Sequence, residues 1–351
     1  MTDKVKRIFY NIPTNFSEFE VKMIDNIFVK LMKSLKGTVD IDKYHPLDSN
    51  EEMDLLICFS DSDIFSIVKS IDSLPLLLVI EFPGDNSFFS DYDLTRLDWC
   101  IEEYITGNIL IERHRLMQVE IDKSKIVVLN DILLSSSRIN HRIRYDINID
   151  GRSIYSDLDN ANSILISSPI GSTAMALNVG GAIVHTKSDV FQIQSIASRN
   201  LLTSHNIVSN KSIIKIEIID TVMPLVISLD NYQIQSDQKE FIISLSPKEL
   251  RFLKFRKTED IKNTATKIID KISFEDTQTL TSSAKFILHV LRTSIEPLTI
   301  NDIIETTHIH NQKTIRSSLK RLIQKGFVKR KENLQDMREH LYYFNEIYDI
   351  Y

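Results

Sequence analysis

The first third of the chain alternates short apolar runs with helical periodicity. Buried strands are predicted for VKRIFYNI, MDLLICF and LPLLLVIEF, and an amphipathic helix is predicted for FEVKMIDNIFVKLMKSL, between the first two strands. Strands and helices in this order favour a parallel α/β sheet. We therefore predict an α/β domain over residues 1–112.

Residues 113–272 have a different pattern, in which β-rich segments are separated by turn residues. The segments are LMQVEI, KIVVLNDILLS, RIRYDINIDG, SIIKIEIID, LVISLDNYQI and EFIISLS. Such a series predicts a second, mostly β domain. The polar stretch at residues 256–267 is predicted to be a linker or a covering helix.

Residues 275–351 return to helical periodicity and end in two strand-like runs. Helices are predicted for SSAKFILHVLRTS, LTINDIIETT and NQKTIRSSLKRLIQKG, and a hairpin for FVKRKENLQDMREHLYYF. Thr299 and Asp302 have the spacing of a capping box, and Gly326 follows the third helix. The order resembles the winged helix-turn-helix domain of bacterial and archaeal regulators. That resemblance implies a third helix in the major groove of double-stranded DNA and a hairpin that meets phosphates.

Basic residues of this C-terminal part are the candidate DNA contacts. They are Lys313, Arg316 and Lys320 on the third helix and Lys329, Arg330 and Lys331 on the hairpin. The chain has a net charge of -6, so affinity for nucleic acid has to come from a local patch, and residues 311–331 contain no Asp or Glu. A solvated face or a protein-contact surface is the alternative.

Length and composition indicate the number of domains and the cellular location. A chain of 351 residues is long enough for two or three domains. Cys58 and Cys100 lack the spacing of a metal site, and two cysteines fit a reduced, cytoplasmic location. The N-terminus lacks a signal-peptide pattern, and the longest apolar run, residues 74–82, is too short to span a bilayer. We expect neither a metal site nor a membrane partner.

One glycine-bearing stretch is a candidate ligand site. SSPIGSTAMALNVGG, residues 167–181, holds three of the eight glycines and follows the predicted strand NSILI. Pro169 and Gly171 interrupt the strand, and STAMAL can begin a helix. Glycine lets a ligand approach the backbone, and the N–H groups at a helix start suit phosphate. A tight turn without a ligand is the alternative.

This stretch resembles the T-P-T-G-S-T-A-Y…S-x-G-G signature of the NAD kinase family. Four other segments resemble that family in the same order, so that the resemblance covers roughly residues 5–272; they are LPLLLVIEFPGDNSFFSD, ERHRL, VVLNDILL and SLDNYQI. It implies an α/β domain followed by a β-sandwich, with NAD or NADP bound between them. It also implies a homodimer or homotetramer.

The same resemblance names the candidate ligand contacts. Asn130 and Asp131 would meet the nicotinamide ribose, and the Thr173–Ala174 turn would meet the adenine side; a simple turn is the alternative for the first pair. The full set is Asn130, Asp131, Asn162, Gly171, Ser172, Thr173, Ala174 and Asn178. The family has Asp-Gly, Tyr and Ser where this chain has Asn162-Ser163, Met175 and Asn178. At position 162 an amide therefore replaces the carboxylate expected to hold a ribose hydroxyl.

The phosphate loop departs further from the family pattern. The family's G-G-D-G-T corresponds to the segment from Ser60 to Asp63, which contains no glycine. Without glycine the backbone does not easily turn its N–H groups toward phosphate. Two carboxylates would also face the phosphate, at a cost on the order of 4 kcal/mol for like charges about 4 Å apart. A capped, solvated turn is predicted here, with Asp61 or Asp63 as a shifted catalytic aspartate in the alternative.

These features together predict an α/β domain plus β-sandwich of NAD kinase type, followed by an α+β winged-helix domain. The predicted function is a transcription regulator that senses NAD or NADP and has lost kinase activity. The alternative is an active NAD kinase that uses Mg²⁺ and ATP or polyphosphate and carries an appended DNA-binding domain.

Overall fold

The structure is a computed structural model. It describes residues 6–35, 39–45, 52–82, 87–138, 141–154, 159–199, 205–230, 232–255, 280–294, 296–307, 309, 311–333 and 339–345. The polar stretch predicted as a linker, residues 256–267, lies outside them.

The described helices and strands occur in the predicted order: an α/β part comes first, a β-rich part follows, and a mainly helical part ends the chain. The helices are α1 (Glu18–Ser34), α2 (Asp61–Ser70), α3 (Leu97–Thr106), α4 (Met175–Asn178), α5 (Ser282–Thr293), α6 (Ile300–Thr307) and α7 (Gln312–Gln324). The strands are β1 (Lys6–Tyr10), β2 (Val39–Lys43), β3 (Leu55–Cys58), β4 (Leu76–Glu81), β5 (Tyr92–Asp93), β6 (Ile109–Ile121), β7 (Ser124–Val128), β8 (Asp131–Ser136), β9 (Ile143–Ile149), β10 (Arg152–Ser153), β11 (Asp159–Ala161), β12 (Ser163–Ser167), β13 (Val190–Ile196), β14 (His205–Ser209), β15 (Ile214–Thr221), β16 (Leu225–Leu229), β17 (Tyr232–Ser236), β18 (Glu240–Phe255), β19 (Val328–Glu332) and β20 (His340–Phe344).

The N-terminal strands form the predicted parallel sheet. Its order is β2-β1-β3-β4, and each neighbouring pair is parallel. Ser17 caps α1 with a capping box, and α1 buries Met23, Ile24, Phe28 and Leu31. The long strand β18 pairs in parallel with β4 and antiparallel with β6 and β15, so the sheet continues into the β-rich part.

Two sheets pack face to face in the β-rich part. The second sheet has the order β14-β13-β12-β8-β16-β17, and the layer between the sheets buries Tyr145, Phe191 and Phe241. Strand β6 runs through residue 112, where the first domain is predicted to end. The α/β part and the β-sandwich therefore share β6 and β18.

The C-terminal part contains three helices and an antiparallel hairpin, as its pattern predicts. The capping box is confirmed, because Asp302 N–H donates to Thr299 Oγ1 at 3.2 Å and Thr299 N–H donates to Asp302 Oδ2 at 2.7 Å. Phe286 of α5 shares an apolar core with Leu31 of α1 and Leu97 of α3. The C-terminal part is thus packed against the α/β part. Within the described residues, every helix is too short or too polar to cross a membrane.

Candidate functional site

One carboxylate holds two turns of the β-sandwich together. Asp230, between β16 and β17, accepts the backbone N–H groups of Leu129 at 3.1 Å, Asn130 at 2.7 Å and Asp131 at 3.4 Å. In return, Asp230 N–H donates to the Asp131 carbonyl at 3.0 Å. Sequence analysis places Asn130 and Asp131 in the site but misses the anchoring role of Asp230. In the sequence, the feature that indicates this role is an aspartate in the turn between two predicted strand segments.

The side chains of Asp131 and Asp230 lie close together and are largely buried. The Asp131 side chain is 6% exposed. Its burial and the neighbouring Asp230 raise the pKa of Asp131 to about 7. Burial also raises the pKa of Asp230, although its backbone hydrogen bonds and Lys69 oppose the shift. Within the described residues no group donates a hydrogen bond to the Asp131 carboxylate, whose oxygens are not among the fully buried atoms without a partner and so keep some contact with solvent.

Gly171 packs against the same turn. A Cβ atom on Gly171 would lie 2.1 Å from the carbonyl oxygen of Asn130, a distance that no side chain tolerates. Ser168 adds two hydrogen bonds, from its N–H to Asn130 O at 2.9 Å and from its Oγ to Leu129 O at 2.6 Å. Sequence analysis explains Gly171 by the approach of a ligand. In the structure, the close contact with Asn130 by itself already requires glycine at this position.

The rest of the glycine stretch divides into buried and accessible residues. Gly171–Thr173 forms a 3₁₀ turn, and α4 is a single short turn rather than a full helix. Ser172 Oγ donates to Pro169 O at 2.7 Å and accepts from Val184 N–H at 3.0 Å, so Ser172 stabilises the loop itself. The candidate contacts here that are half-buried or exposed are Thr173, Ala174 and Asn178.

Asn162 lies between β11 and β12. Its backbone N–H donates to Ile196 O at 3.0 Å, and its side chain is half-buried. The nearby buried acid is Asp159, which sequence analysis misses. It accepts the Tyr145 hydroxyl at 2.6 Å and the Ser198 hydroxyl at 2.7 Å. Asp159 therefore serves the interior of the sandwich and does not replace the carboxylate absent at position 162.

Asp61 and Asp63 begin helix α2. The Asp63 side chain is 5% exposed and accepts Phe59 N–H at 3.2 Å. The Asp61 carboxylate accepts Phe88 N–H at 3.0 Å and the Ser87 hydroxyl. A solvated turn is therefore wrong for Asp63, because the start of the helix folds it back onto the preceding strand. Asp61 instead ties α2 to the segment after β4.

A charged cleft opens beside the glycine turn. It has a volume of about 350 Å³, touches Pro169, and is lined by Glu112, Arg113 and Lys187. His114 Nε2 lies 3.5 Å from Glu112, and this contact is the main cause that lowers the pKa of Glu112 to about 2. The ERHRL segment thus forms one wall of the cleft. No metal-binding group of three His, Cys, Asp or Glu side chains occurs in the described part of the chain.

The candidate DNA contacts are far from this cleft in sequence and lie on α7 and β19 of the C-terminal part. Helix α7 buries Ile315, Leu319 and Leu322. The basic residues of α7 and β19 are all exposed; they are Lys313, Arg316, Lys320, Lys329, Arg330 and Lys331. The structure shows that these side chains are on the surface and does not identify a molecule that binds them.

Comparison with known proteins shows which proteins this chain resembles. Residues 129–255 match the family model described as the ATP-NAD kinase C-terminal domain. The NAD kinase of Clostridium tetani is 24% identical over 257 residues, which cover 71% of this chain and 87% of that protein. The NAD kinase of Petrotoga mobilis is 28% identical over 203 residues, which cover 55% of this chain and 70% of that protein.

Solved structures give the same fold. An NAD kinase from Archaeoglobus fulgidus in complex with ATP has a TM-score of 0.60 and 16% identity, and the match covers 76% of this chain and 99% of that chain. Yeast NADH kinase complexed with NADH has a TM-score of 0.63 and 19% identity, over 80% of this chain and 91% of that chain. The family model ends at residue 255 and does not include the C-terminal helices. Residues 129–255 therefore resemble the C-terminal domain of ATP-NAD kinases, and the fold is similar to that of the two solved kinases.

Proposed function

We propose that this chain binds a nicotinamide dinucleotide at the Asn130–Asp131 turn and phosphorylates it, as NAD kinases do. The sequence pattern alone favours a regulator without kinase activity over this enzyme. Similarity to NAD kinases over most of their length supports the active enzyme instead.

The observation that carries the proposal is the Asp131 carboxylate. It is buried beside Asp230 and receives no hydrogen bond from the described residues. A hydrogen bond from a ligand would favour the ionised form of this largely buried carboxylate. A ribose hydroxyl is a donor of the right kind, and the neighbouring Asn130 amide supplies further hydrogen-bonding groups. Binding of such a ligand lowers the pKa of Asp131, so the affinity should rise with pH between about 6 and 8.

Phosphoryl transfer also needs a group near the phosphates. In the reaction a ribose hydroxyl of NAD⁺ attacks the terminal phosphorus of ATP and gives NADP⁺ and ADP. Asp61 is the candidate proton acceptor, because Ser87 and Phe88 hold its half-exposed carboxylate at the start of α2. Mg²⁺ would have to be held mainly by the triphosphate, since the described side chains offer no ready metal site.

The test is NADP⁺ formation from NAD⁺ with Mg-ATP or polyphosphate. We expect turnover within the typical kinase range of about 1–100 s⁻¹. Asp131→Asn should weaken NAD⁺ binding and remove its pH dependence, and Asp61→Asn should lower turnover more than binding. Asp237→Asn, an exposed change in the loop after β17, is the matched control. NAD⁺ binding by calorimetry with no NADP⁺ from any donor would rule out the kinase while keeping the ligand site.

We propose regulation of transcription as the second candidate function. The specific observation is the exposed basic set on α7 and β19, in a segment without a single acidic residue from 311 to 331. Such a set matches the phosphate backbone of double-stranded DNA. A ligand that binds the dinucleotide site would then change DNA affinity, as in a sensor.

Fluorescence anisotropy with duplex DNA from the chain's own promoter region tests this second function. Changing Lys313 and Arg316 to Ala should weaken binding and reduce the salt slope by roughly 0.9 for each DNA phosphate that the variant no longer neutralises. Changing the exposed Lys125 and Lys211 to Ala alters the net charge equally and is the control. Equal weakening in both double variants would mean that general charge, and not these two residues, attracts the DNA.

A further inference from the structure

A cavity lies where the C-terminal helices pack against the α/β part. It has a volume of about 430 Å³, and its lining comes from α1, the start of α3 with the turn before it, α5 and α6. Cavities of about 300–1,000 Å³ are large enough for a small organic ligand. This junction cavity shares no described residue with the turns of the dinucleotide site. Two of its walls, α5 and α6, also lie beyond residue 255, where the family model ends.

Part of the lining is apolar and belongs to the core that joins the two parts. Leu31 of α1 and Leu94 before α3 are each 5% exposed, and Phe286 of α5 is 3% exposed. Ile27 is half-buried against the same core. A ligand with an aliphatic or aromatic body would remove apolar surface from water here, which favours binding.

The hydroxyl groups of the lining have already used their hydrogens within the chain. Four of them donate to nearby groups: Ser34 Oγ to Leu31 O at 2.9 Å, Thr306 Oγ1 to Asp302 O at 2.8 Å, Thr307 Oγ1 to Ile303 O at 2.5 Å, and Thr95 Oγ1 to the Asp93 carboxylate. A hydroxyl has one hydrogen and two acceptor lone pairs. These groups therefore have only acceptor capacity left for a ligand.

Negative charge predominates in the described lining. Asp98 of α3 and Glu305 of α6 are exposed, and within the described residues neither carboxylate takes part in a hydrogen bond or an ion pair. The lining has a single ammonium group in this part of the chain, that of Lys30. Ser34 ends α1 and Thr307 ends α6, and the C-terminal end of a helix carries a partial negative charge. Charge and hydrogen bonding both favour a cationic donor.

We propose that the junction cavity binds a small organic ammonium ion whose apolar body covers Leu31, Leu94 and Phe286. An ammonium group has three N–H donors and no acceptor, which complements the hydroxyls and the two carboxylates. Such a ligand contacts α1 and α3 of the α/β part and α5 and α6 of the C-terminal part at once, so binding stabilises their packing. The inference does not rest on the proposed kinase activity or on DNA binding.

Ligand-observed NMR titration of the full chain with phenethylamine tests the chemistry. Phenethyl alcohol and phenylacetate have the same phenyl ring with a neutral and a negative group. We expect the dissociation constant of phenethylamine to be at least roughly fivefold lower than that of either compound, because hydrogen bonds between charged groups are the stronger ones. A smaller difference, or no binding of phenethylamine at millimolar concentration, overturns the proposal.

Variants test where the amine binds. Glu305→Gln keeps the shape of the side chain and removes its charge, and should raise the dissociation constant of phenethylamine roughly fivefold; Asp98→Asn should act in the same direction. Both side chains are exposed, so the variants should fold, which circular dichroism checks. Glu217→Gln removes an exposed carboxylate on β15 and is the matched control.

The acidic pair of the dinucleotide site is the competing location for an amine. Asp131→Asn should leave the dissociation constant of phenethylamine unchanged, because Asp131 is absent from the lining of the junction cavity. An increase with Asp131→Asn or Glu217→Gln as large as that with Glu305→Gln places the amine elsewhere and overturns the proposal.

Discussion

Replacing Asp131 with Asn should stabilise the protein, and more so at high pH. Burial and Asp230 give Asp131 a pKa of about 7, whereas an unfolded aspartate has a pKa of about 3.9. Between these values the folded state holds more protons than the unfolded state, so stability falls as pH rises. At 1.36 kcal/mol per pKa unit, the raised pKa lowers the free energy of unfolding by roughly 4 kcal/mol at pH 8, where folded Asp131 is mostly ionised, and by roughly 2 kcal/mol at pH 5.5, where it is protonated. Asparagine has no such charge.

Urea unfolding of the ligand-free protein at pH 5.5 and pH 8 measures this difference. The gain from Asp131→Asn should be about 2 kcal/mol larger at pH 8. Asp237→Asn removes an exposed carboxylate and should change the stability by a small amount that is the same at both pH values. If Asp131→Asn destabilises the protein at pH 8, the ionised carboxylate is stabilised in the fold, and a pKa raised by burial and Asp230 is wrong.

Three further predictions concern the same fold. Gly171→Ala should lower the free energy of unfolding by about 3 kcal/mol or more, because its Cβ would lie 2.1 Å from a backbone oxygen. The control is Gly107→Ala, whose Cβ meets open space at a φ of +78°. It should lower the free energy of unfolding by only about 1 kcal/mol in the same urea titration. Asp230→Ala should cost about 1–3 kcal/mol, since buried N–H groups of the adjoining turn lose their acceptor, and calorimetry should show weaker dinucleotide binding. Burial raises the pKa of both thiols, so Cys58 and Cys100 should react with Ellman's reagent only on unfolding; fast reaction of the native protein would contradict this.

Sequence patterns locate the turns of the candidate site but not the atoms that hold them. The resemblance to NAD kinases identifies Asn130, Asp131 and Gly171. Their mutual contact and the anchoring by Asp230, a hundred residues further along the chain, depend on how β8 pairs with β12 and β16. That register brings Asp131 opposite Ser167 and Ile132 opposite Leu229. Such pairing is a property of the assembled sheet and is not visible in any one segment.

The structural role of a site residue is harder to predict from sequence than its position in the fold. A glycine pattern fits a ligand and a close backbone contact equally well, and the choice needs the position of Asn130. The acidic pair after β3 is predicted to lie in solvent, but the hydrogen bond from Phe59 to Asp63 requires that the helix start directly after the strand. Local sequence can indicate that start, whereas the burial of Asp63 follows from packing.

The segment from 87 to 93 relates the two candidate functions to each other. Its first residues bind the carboxylate of Asp61, at the start of α2. Its acid Asp91 pairs with Lys254 near the end of β18, and its last residue Asp93 lies 3.6 Å from His289 of α5. This segment thus connects the start of α2 to the C-terminal helices, which share an apolar core with the α/β part. Coupling between a ligand and a second partner can be carried by such a continuous set of contacts. Both candidate functions therefore have to be measured on the full chain, where these contacts are intact.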